Sequence, residues 1–290
     1  MQIGPYIRHK FGTDSRLTLT IEKIAYLIGL PARRRRNFAK SYYYNKMDLI
    51  DSWSKKRTEN YNFYYELTEK NVNDLCHLLA LLWDCEIGLV RTYALELIQD
   101  SALRRHVFEG FKGDPKMRDA EVAFARRLGW YIIIRLQKPK VVVETGVHQG
   151  VGAVVISSAL IKNRSEGYEA EYLGIDIEPI AGVLFTPPYS SLGKIVISDS
   201  IAFMKSLNKK VDLFISDSDH TENYEMAEYE SFIPSLNSGS IILSDNSHAN
   251  QVLADFSEKN GRRYVFFKEE PHNHWYPGAG IGISLPQHAK

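Results

Sequence analysis

Short β-branched runs that alternate with helical stretches dominate the chain after residue 139, and this alternation constrains the fold more than any other feature. The runs are VVVE (141–144), YLGIDI (172–177), KIVIS (194–198), VDLFIS (211–216), SIILS (240–244), RYVFF (263–267) and GIGIS (280–284). Such runs predict strands, and the helical segments between them allow the strands to pair in parallel. The pattern therefore predicts an α/β domain over residues 139–290, with a parallel sheet and crossover helices.

The first 138 residues have a helical pattern instead. Apolar residues recur at steps of three and four, as in Leu75, Leu78, Leu79 and Leu82, which is the spacing of an amphipathic helix. Glycine and proline are sparse apart from residues 29–31 and 110–115, where we predict helix breaks. We expect residues 1–138 to form an all-helical region that covers a site on the α/β domain or makes a homodimer interface.

Charge is unevenly distributed along the chain. Residues 1–140 hold 25 Lys+Arg and 16 Asp+Glu, a net charge of +9, whereas residues 141–290 hold 11 and 19, a net charge of −8. A basic half could meet an anionic partner such as nucleic acid, or the two halves could attract each other or a second subunit. The run of four arginines at 33–36 allows the same two interpretations, and we favour a solvated helix face over a nucleic-acid site.

Two cysteines, Cys76 and Cys85, lack the number and spacing of a disulfide framework or a metal site, which favours a reducing compartment. The N-terminus has no apolar segment typical of a signal peptide. The most apolar window outside the sheet region, residues 78–98, contains four charged residues, which argues against a membrane span. We therefore expect a cytoplasmic protein without a membrane partner.

The segment 144–150, ETGVHQG, follows the first predicted strand. It matches neither the dinucleotide fingerprint G-x-G-x-x-G nor a P-loop ending in G-K-[ST]. Its glycines, Gly146 and Gly150, let a ligand approach the backbone at the start of a helix. The acid, Glu144, suits a ligand with a positive charge. A ligand with an ammonium group, a ribose and an adenine fits this turn better than a pyrophosphate does.

Further acids follow the later strands: Asp176, Asp199, Asp217 and Asp245 come after the second, third, fourth and fifth. In open α/β sheets ligands lie outside the carboxyl ends of the strands, where an acid can bind ribose hydroxyls. Acids after strands can also be helix N-caps. N-capping could account for Asp199, but not for all five acids, so we predict a binding site at this edge of the sheet.

Residues 139–285 resemble class I S-adenosylmethionine-dependent methyltransferases. Within that class they are similar to the metal-dependent O-methyltransferases, a group that contains the catechol, caffeoyl-CoA and macrocin-type sugar enzymes. The resemblance is carried by ETGVHQG, LGIDIEP, ISDS, DLFISDSDHTENY and GSIILSDN in this order. It implies a Rossmann-like, seven-stranded, mostly parallel sheet whose last strand is antiparallel.

The resemblance also implies the ligands. S-adenosylmethionine would be held by Glu144, Gly146, His148, Gly150, Asp176, Asp199, Ser200 and Asp217. A divalent cation, Mg²⁺, would be held by Asp217, Asp245 and Asn246. Three oxygen donors with open coordination positions suit Mg²⁺, which takes the rest of its shell from water and substrate.

The candidate catalytic groups are Asp217, His220 and His248. Histidine stands at position 220, where the catechol and caffeoyl-CoA enzymes have a lysine, and an imidazole is a competent general base near neutral pH. The loop between the last two strands would flank the substrate with His272, His274, Trp275 and Tyr276, or simply cap the domain.

We therefore predict metal-assisted O-methylation of a hydroxylated small molecule, a sugar or a glycosylated metabolite. The alternatives are an RNA-modifying methyltransferase, a non-methylating enzyme that uses the same cofactor, such as a cyclase, and an inactive partner subunit.

Overall fold

The computed structural model describes residues 16–55, 65–112 and 122–287. The chain divides into two compact units, Met1–Lys56 and Arg57–Lys290. The predicted boundary at residue 138 falls where helices give way to strands, whereas this division falls earlier in the chain. Within the three described ranges, no helix is long and apolar enough to cross a membrane.

The first unit contains three helices, α1 (Arg16–Leu27), α2 (Leu30–Ser41) and α3 (Tyr44–Ser54). The predicted break at residues 29–31 lies between α1 and α2. Gly29 turns the chain there with a φ of 70°, and a proline follows in the first turn of α2, where its missing N–H costs nothing. The four arginines at 33–36 lie in α2 and are exposed.

The second unit begins with helices. They are α4 (Glu69–Leu82), α5 (Ile87–Ile98), α6 (Ser101–Phe111) and α7 (Ala125–Gln137). Thr68 caps α4 by accepting from the N–H of Asn71 at 3.2 Å. Asp100 caps α6 by accepting from the N–H of Leu103 at 2.9 Å. Helix α6 ends inside the second predicted break, and residues 113–115 of that break lie outside the described residues. Neither Cys76 nor Cys85 forms a disulfide, and Cys76 is buried.

Seven strands follow, with helices between most of them. They are β1 (Val141–Thr145), β2 (Glu171–Asp176), β3 (Gly193–Ile197), β4 (Val211–Ser216), β5 (Leu236–Ser244), β6 (Arg263–Lys268) and β7 (Gly280–Leu285). The helices among them are α8 (Val151–Ser165), α9 (Ser200–Ser206), α10 (Glu222–Phe232) and α11 (Val252–Lys259). The seven predicted strands are all present.

The strands form one sheet in the order β3-β2-β1-β4-β5-β7-β6. Strands β1 to β5 pair in parallel, and β7 is antiparallel to both of its neighbours, β5 and β6. This confirms the predicted Rossmann-like sheet with an antiparallel last strand. Because β1 is central, its valines are buried on both faces. Val142 packs with the helices α4 to α8, while Val141 and Val143 pack on the other face with α10 and α11.

The order reverses between β1 and β4, since the chain runs outward from β1 to β3 and then crosses back to β4. The carboxyl ends of the strands beside such a switch point diverge into a crevice, which is where open α/β sheets bind ligands. The fold therefore places the residues after β1, β2, β3 and β4 around one cleft.

Candidate active site

A cavity of about 370 Å³ lies at the carboxyl ends of β1 to β4. Its volume is within the range of small-molecule sites, about 300–1,000 Å³. It brings together six of the predicted cofactor residues, which come from four different loops: Gly146, His148, Asp176, Asp199, Ser200 and Asp217. Ser198, Ser218, Asp219 and Tyr224 complete the polar part of the wall.

The turn after β1 is shaped by close backbone contacts. Gly146 has a φ of 79°, and a Cβ at this position would lie 2.0 Å from the carbonyl oxygen of Asp217. Only glycine fits here, because both the conformation and the space exclude a side chain. His148 also has a positive φ, of 48°. Its N–H donates to Oδ2 of Asp176 at 2.7 Å, so the turn is tied to the end of β2.

Asp176 is the anchor of this part of the wall. Its second oxygen accepts from the N–H of Glu178 at 2.8 Å. Two backbone donors thus fix the carboxylate, and each of its oxygens keeps a further lone pair for a ligand. A carboxylate fixed in this way is suited to accept hydrogen bonds from the hydroxyls of a ribose.

Asp199 has two functions in the structure. It caps α9 by accepting from the N–H of Ala202 at 2.8 Å, and its other oxygen accepts from the Tyr224 hydroxyl at 2.8 Å. The capping interpretation of this acid therefore holds, although the residue also lines the cavity. Tyr224 is 2.9 Å from the hydroxyl of Ser200, so the third and fourth loops are joined by hydrogen bonds.

A buried carboxylate outside the cavity wall stabilises the loops after β3 and β4. Glu228 in α10 accepts hydrogen bonds from three hydroxyls, those of Ser200 at 2.6 Å, Ser218 at 2.8 Å and Ser216 at 2.7 Å. Burial raises the pKa of Glu228, while the serine hydrogen bonds oppose that shift. The residue fixes two serines of the cavity wall without lining the cavity itself.

Two predicted cofactor residues lie outside the cavity wall. Glu144 is buried, and a Cβ at Gly152 in α8 would overlap its carboxylate. The Tyr172 hydroxyl donates to Glu144. Burial, the largest cause, raises the pKa of Glu144 to about 8. Gly150 has a φ of 98° and forms the N-cap of α8. Both residues therefore support the turn after β1 without lining the cavity.

The predicted metal ligands lie after β4 and β5, and both carboxylates face arginines of α7. Asp245 is buried and forms an ion pair with Arg126. Oδ2 of Asp217 is 3.3 Å from Nη2 of Arg127. Asn246 is buried beside Asp245.

These side chains do not fit a divalent cation as they stand. Mg²⁺ needs carboxylate oxygens that face a common position, but each carboxylate here is directed to a guanidinium. In the described ranges, no three His, Cys, Asp or Glu side chains come together as a metal site. The cofactor cavity, by contrast, offers acceptors for ribose hydroxyls and an amino group, so its side chains fit S-adenosylmethionine.

The two predicted catalytic histidines differ in their surroundings. Nδ1 of His248 is 2.9 Å from the carbonyl oxygen of Asp245. A carbonyl only accepts, so Nδ1 carries the proton and Nε2 is the acceptor in the neutral ring. Burial of the ring, followed by the charges of Arg126 and Lys268, lowers the pKa of His248 to about 4. His220 is exposed in the loop after β4.

The predicted substrate segment is divided between two surfaces. The Tyr276 hydroxyl is 3.5 Å from Nε2 of His248, and the rings of His274 and Tyr276 lie 5.3 and 5.9 Å from the ring of Tyr65. Trp275 continues this aromatic group. His272 instead borders a separate open groove beside α4 and α5, which shares no lining residue with the cofactor cavity.

Several residues of the site have no local sequence signal. Arg126 and Arg127 lie in the helical half of the chain, in a segment without a recognisable motif. Tyr65 is also in that half, and its hydroxyl donates to the buried Glu269 at 2.5 Å. Glu228 lies in a helix with mixed polar and apolar residues. The basic charge of residues 1–140 was the only available indication that this half supplies cations to the acidic edge of the sheet.

Comparison with known proteins agrees with the fold. Residues 143–247 match a family described as a methyltransferase domain. Curated protein sequences give no significant match. Cofactor-bound Rv0187 from MTB superposes with a TM-score of 0.52 at 16% identity, over 67% of this chain and 94% of that chain. A candidate O-methyltransferase from Klebsiella pneumoniae gives 0.50 at 14% identity, over 65% and 91%.

At these identities the structural likeness concerns the fold, while the family match covers the segment from β1 to the loop after β5. That segment contains the glycine turn and all the acids at the strand ends. Residues 143–247 are therefore a methyltransferase domain, in a chain that has the class I methyltransferase fold.

Proposed function

We propose that the protein transfers the methyl group of S-adenosylmethionine to an oxygen of a hydroxylated small molecule, a sugar or a glycosylated metabolite first among them. The observation that carries the proposal is the position of Asp217. It lines the cofactor cavity, contacts Arg127 and lies close enough to His248 to act on the pKa of that ring. Cofactor and acceptor would therefore meet at this residue.

His248 is better suited than His220 to accept the proton of the acceptor hydroxyl. Its Nδ1–H is held by the carbonyl of Asp245, so Nε2 presents its lone pair toward Tyr276. A lowered pKa keeps the ring neutral at pH 7, and only the neutral ring can take a proton. General-base catalysis of this kind contributes about 10²–10⁴-fold in rate.

The aromatic group formed by Tyr65, His274, Trp275 and Tyr276 would border the acceptor. Aromatic faces stack on sugar and aromatic rings, which supports a ring-containing acceptor. When bound, the cofactor supplies an activated methyl group. The side chains of the cleft would hold the acceptor oxygen in line with it, and positioning of this kind supplies up to about 7–11 kcal/mol of a barrier.

The same proposal includes the setting of the protein. We expect a small-molecule acceptor rather than nucleic acid, a cytoplasmic location because the two cysteines are unpaired, and a homodimer. Size-exclusion chromatography with light scattering tests the oligomeric state. Salt-dependent RNA binding would favour the RNA-modifying alternative instead.

The function is tested by incubating the protein with methyl-labelled S-adenosylmethionine and panels of sugars, glycosides, phenols and RNA. We expect label on an oxygen of a small molecule, located by mass spectrometry and NMR. The variant His248→Ala should slow transfer by about 10²–10⁴-fold, with His220→Ala as the matched comparison. Label on RNA alone, or a product without the methyl group, would contradict the proposal.

A further inference from the structure

The start of α7 carries two adjacent arginines at the cleft. Arg126 and Arg127 lie in the first turn of this helix, which contains no acidic residue in that turn. Positive charges at a helix N-terminus oppose the macrodipole, which is itself positive there. Anions beside the arginines offset this unfavourable interaction, and Asp245 and Asp217 are two anions that contact them.

These pairs are largely shielded from water. The Arg126 and Asp245 side chains are 14% and 3% exposed, and those of Arg127 and Asp217 are 17% and 13% exposed. The Arg127 guanidinium also lies 5.2 Å from the centre of the buried Trp130 ring. It is thus held between an aromatic face and a carboxylate, a geometry that suits the planar guanidinium.

The positive charges around Asp217 and Asp245 disfavour the binding of a divalent cation there. Arg126 lies close enough to act on the pKa values of His248, Glu269 and Tyr65, and Lys268 acts on His248 as well. A divalent ion between Asp217 and Asp245 would have to displace both guanidinium groups or lie beside them. In a poorly solvated cleft, a divalent ion beside a guanidinium group would be repelled strongly, because two like charges are screened less there than in water.

We propose that Arg126 and Arg127 occupy the place of the divalent cation that the resemblance implies, so that guanidinium N–H groups position the acceptor oxygen. Their role toward the acceptor rests on the proposed function, whereas their exclusion of a cation does not. Arginine donates hydrogen bonds and neutralises charge but forms no coordination bond. A single hydroxyl therefore suffices in the acceptor, and no vicinal diol is needed to chelate an ion.

The claim that no cation binds is tested by titrating Mn²⁺ into the full-length protein loaded with S-adenosylhomocysteine. Electron paramagnetic resonance measures the fraction of Mn²⁺ that is bound. We expect no saturable binding in the wild type up to about 1 mM, the weak end of protein sites for divalent cations. The double variant Arg126→Met/Arg127→Met should bind one equivalent at least ten times more tightly. Adding Asp245→Asn to this variant should abolish the binding.

The variant Arg126→Lys/Arg127→Lys is the matched control, since it keeps both charges and should not bind Mn²⁺. Calorimetry with S-adenosylhomocysteine verifies that each variant is folded, and glutamine replaces methionine if the methionine variant fails this check. One equivalent of Mn²⁺ in the wild type, lost on Asp245→Asn, would overturn the proposal. A folded double variant that binds no Mn²⁺ would overturn it too.

The acceptor claim has its own measurement, namely methyl transfer after exhaustive chelation. We expect unchanged rates with EDTA and equal use of acceptors with one hydroxyl or with a vicinal diol. If no acceptor is methylated at all, the proposed function fails, but the Mn²⁺ titration still tests whether the arginines exclude a cation.

Discussion

Asp176→Ala is the substitution that most directly tests the cofactor site. The carboxylate accepts from the N–H groups of His148 at 2.7 Å and Glu178 at 2.8 Å, and it lines the cavity. Alanine removes both side-chain acceptors at this position. The substitution should therefore weaken cofactor binding and loosen the turn after β1.

The size of the effect follows from the bonds that are lost. Hydrogen bonds to a charged group contribute about 1.5–3 kcal/mol, so loss of the ribose contact should weaken binding about 10- to 150-fold. Asp176→Asn should fall between wild type and alanine, because the amide keeps one acceptor oxygen and turns a donor toward one of the two backbone N–H groups.

The assay is calorimetric titration with S-adenosylhomocysteine, together with urea denaturation. Asp212→Ala is the matched control. This aspartate also accepts from two backbone N–H groups, those of Lys140 at 2.9 Å and Val141 at 2.8 Å, but it lies near the amino end of β4. It should lower stability and leave affinity unchanged. Unchanged affinity in Asp176→Ala would refute the ribose assignment, and equal affinity losses in both variants would show that binding merely follows stability.

Three further substitutions test buried charges. Burial raises the pKa of Glu144 from 4.5 to about 8, so the folded state keeps a proton that the unfolded chain releases. Stability should therefore fall as pH rises from about 5 to 8, and Glu144→Gln should remove that slope in urea titrations. Glu228→Gln leaves one acceptor oxygen for three serine hydroxyls and should weaken S-adenosylhomocysteine binding about tenfold by calorimetry. Arg135→Met leaves Glu96 and Glu166 without their buried partner, and should cost about 2–3 kcal/mol in urea denaturation while cofactor affinity stays unchanged.

The sheet could be predicted because its strands are locally encoded. Runs such as VDLFIS are buried on both faces, so most of their residues are apolar, and the predicted and observed limits of β4 coincide. Strand β5 departs most from its predicted limits, since it begins at Leu236 rather than at the predicted Ser240. The N–H of Gly239 donates to Oδ1 of Asn237 at 2.8 Å, a turn-like contact, and the pairing with β4 shifts register in this region. Turn-forming residues inside a strand conceal it from pattern analysis.

The cofactor edge could be predicted in outline for a topological reason. Parallel strands place their carboxyl ends at one edge, so acids after successive strands must come close together. Topology does not determine where each side chain points, however. Glu144 follows the same logic as Asp176, yet its side chain turns toward α8 and is buried against Tyr172, whereas Asp176 faces the cavity. The difference depends on the position of α8, which no local pattern specifies.

The acceptor side was the least predictable because its cations come from another part of the chain. Asp217 and Arg127 are separated by 90 residues, and they meet because α7 packs against α5, α8 and β7. A motif read from the sheet alone contains the acids without their partners, and three oxygen donors without partners resemble a metal site. Once the guanidinium groups are in place, the same acids are part of a neutral cluster. The chemistry of such a cleft therefore depends on which helix covers it as much as on the strands that end in it.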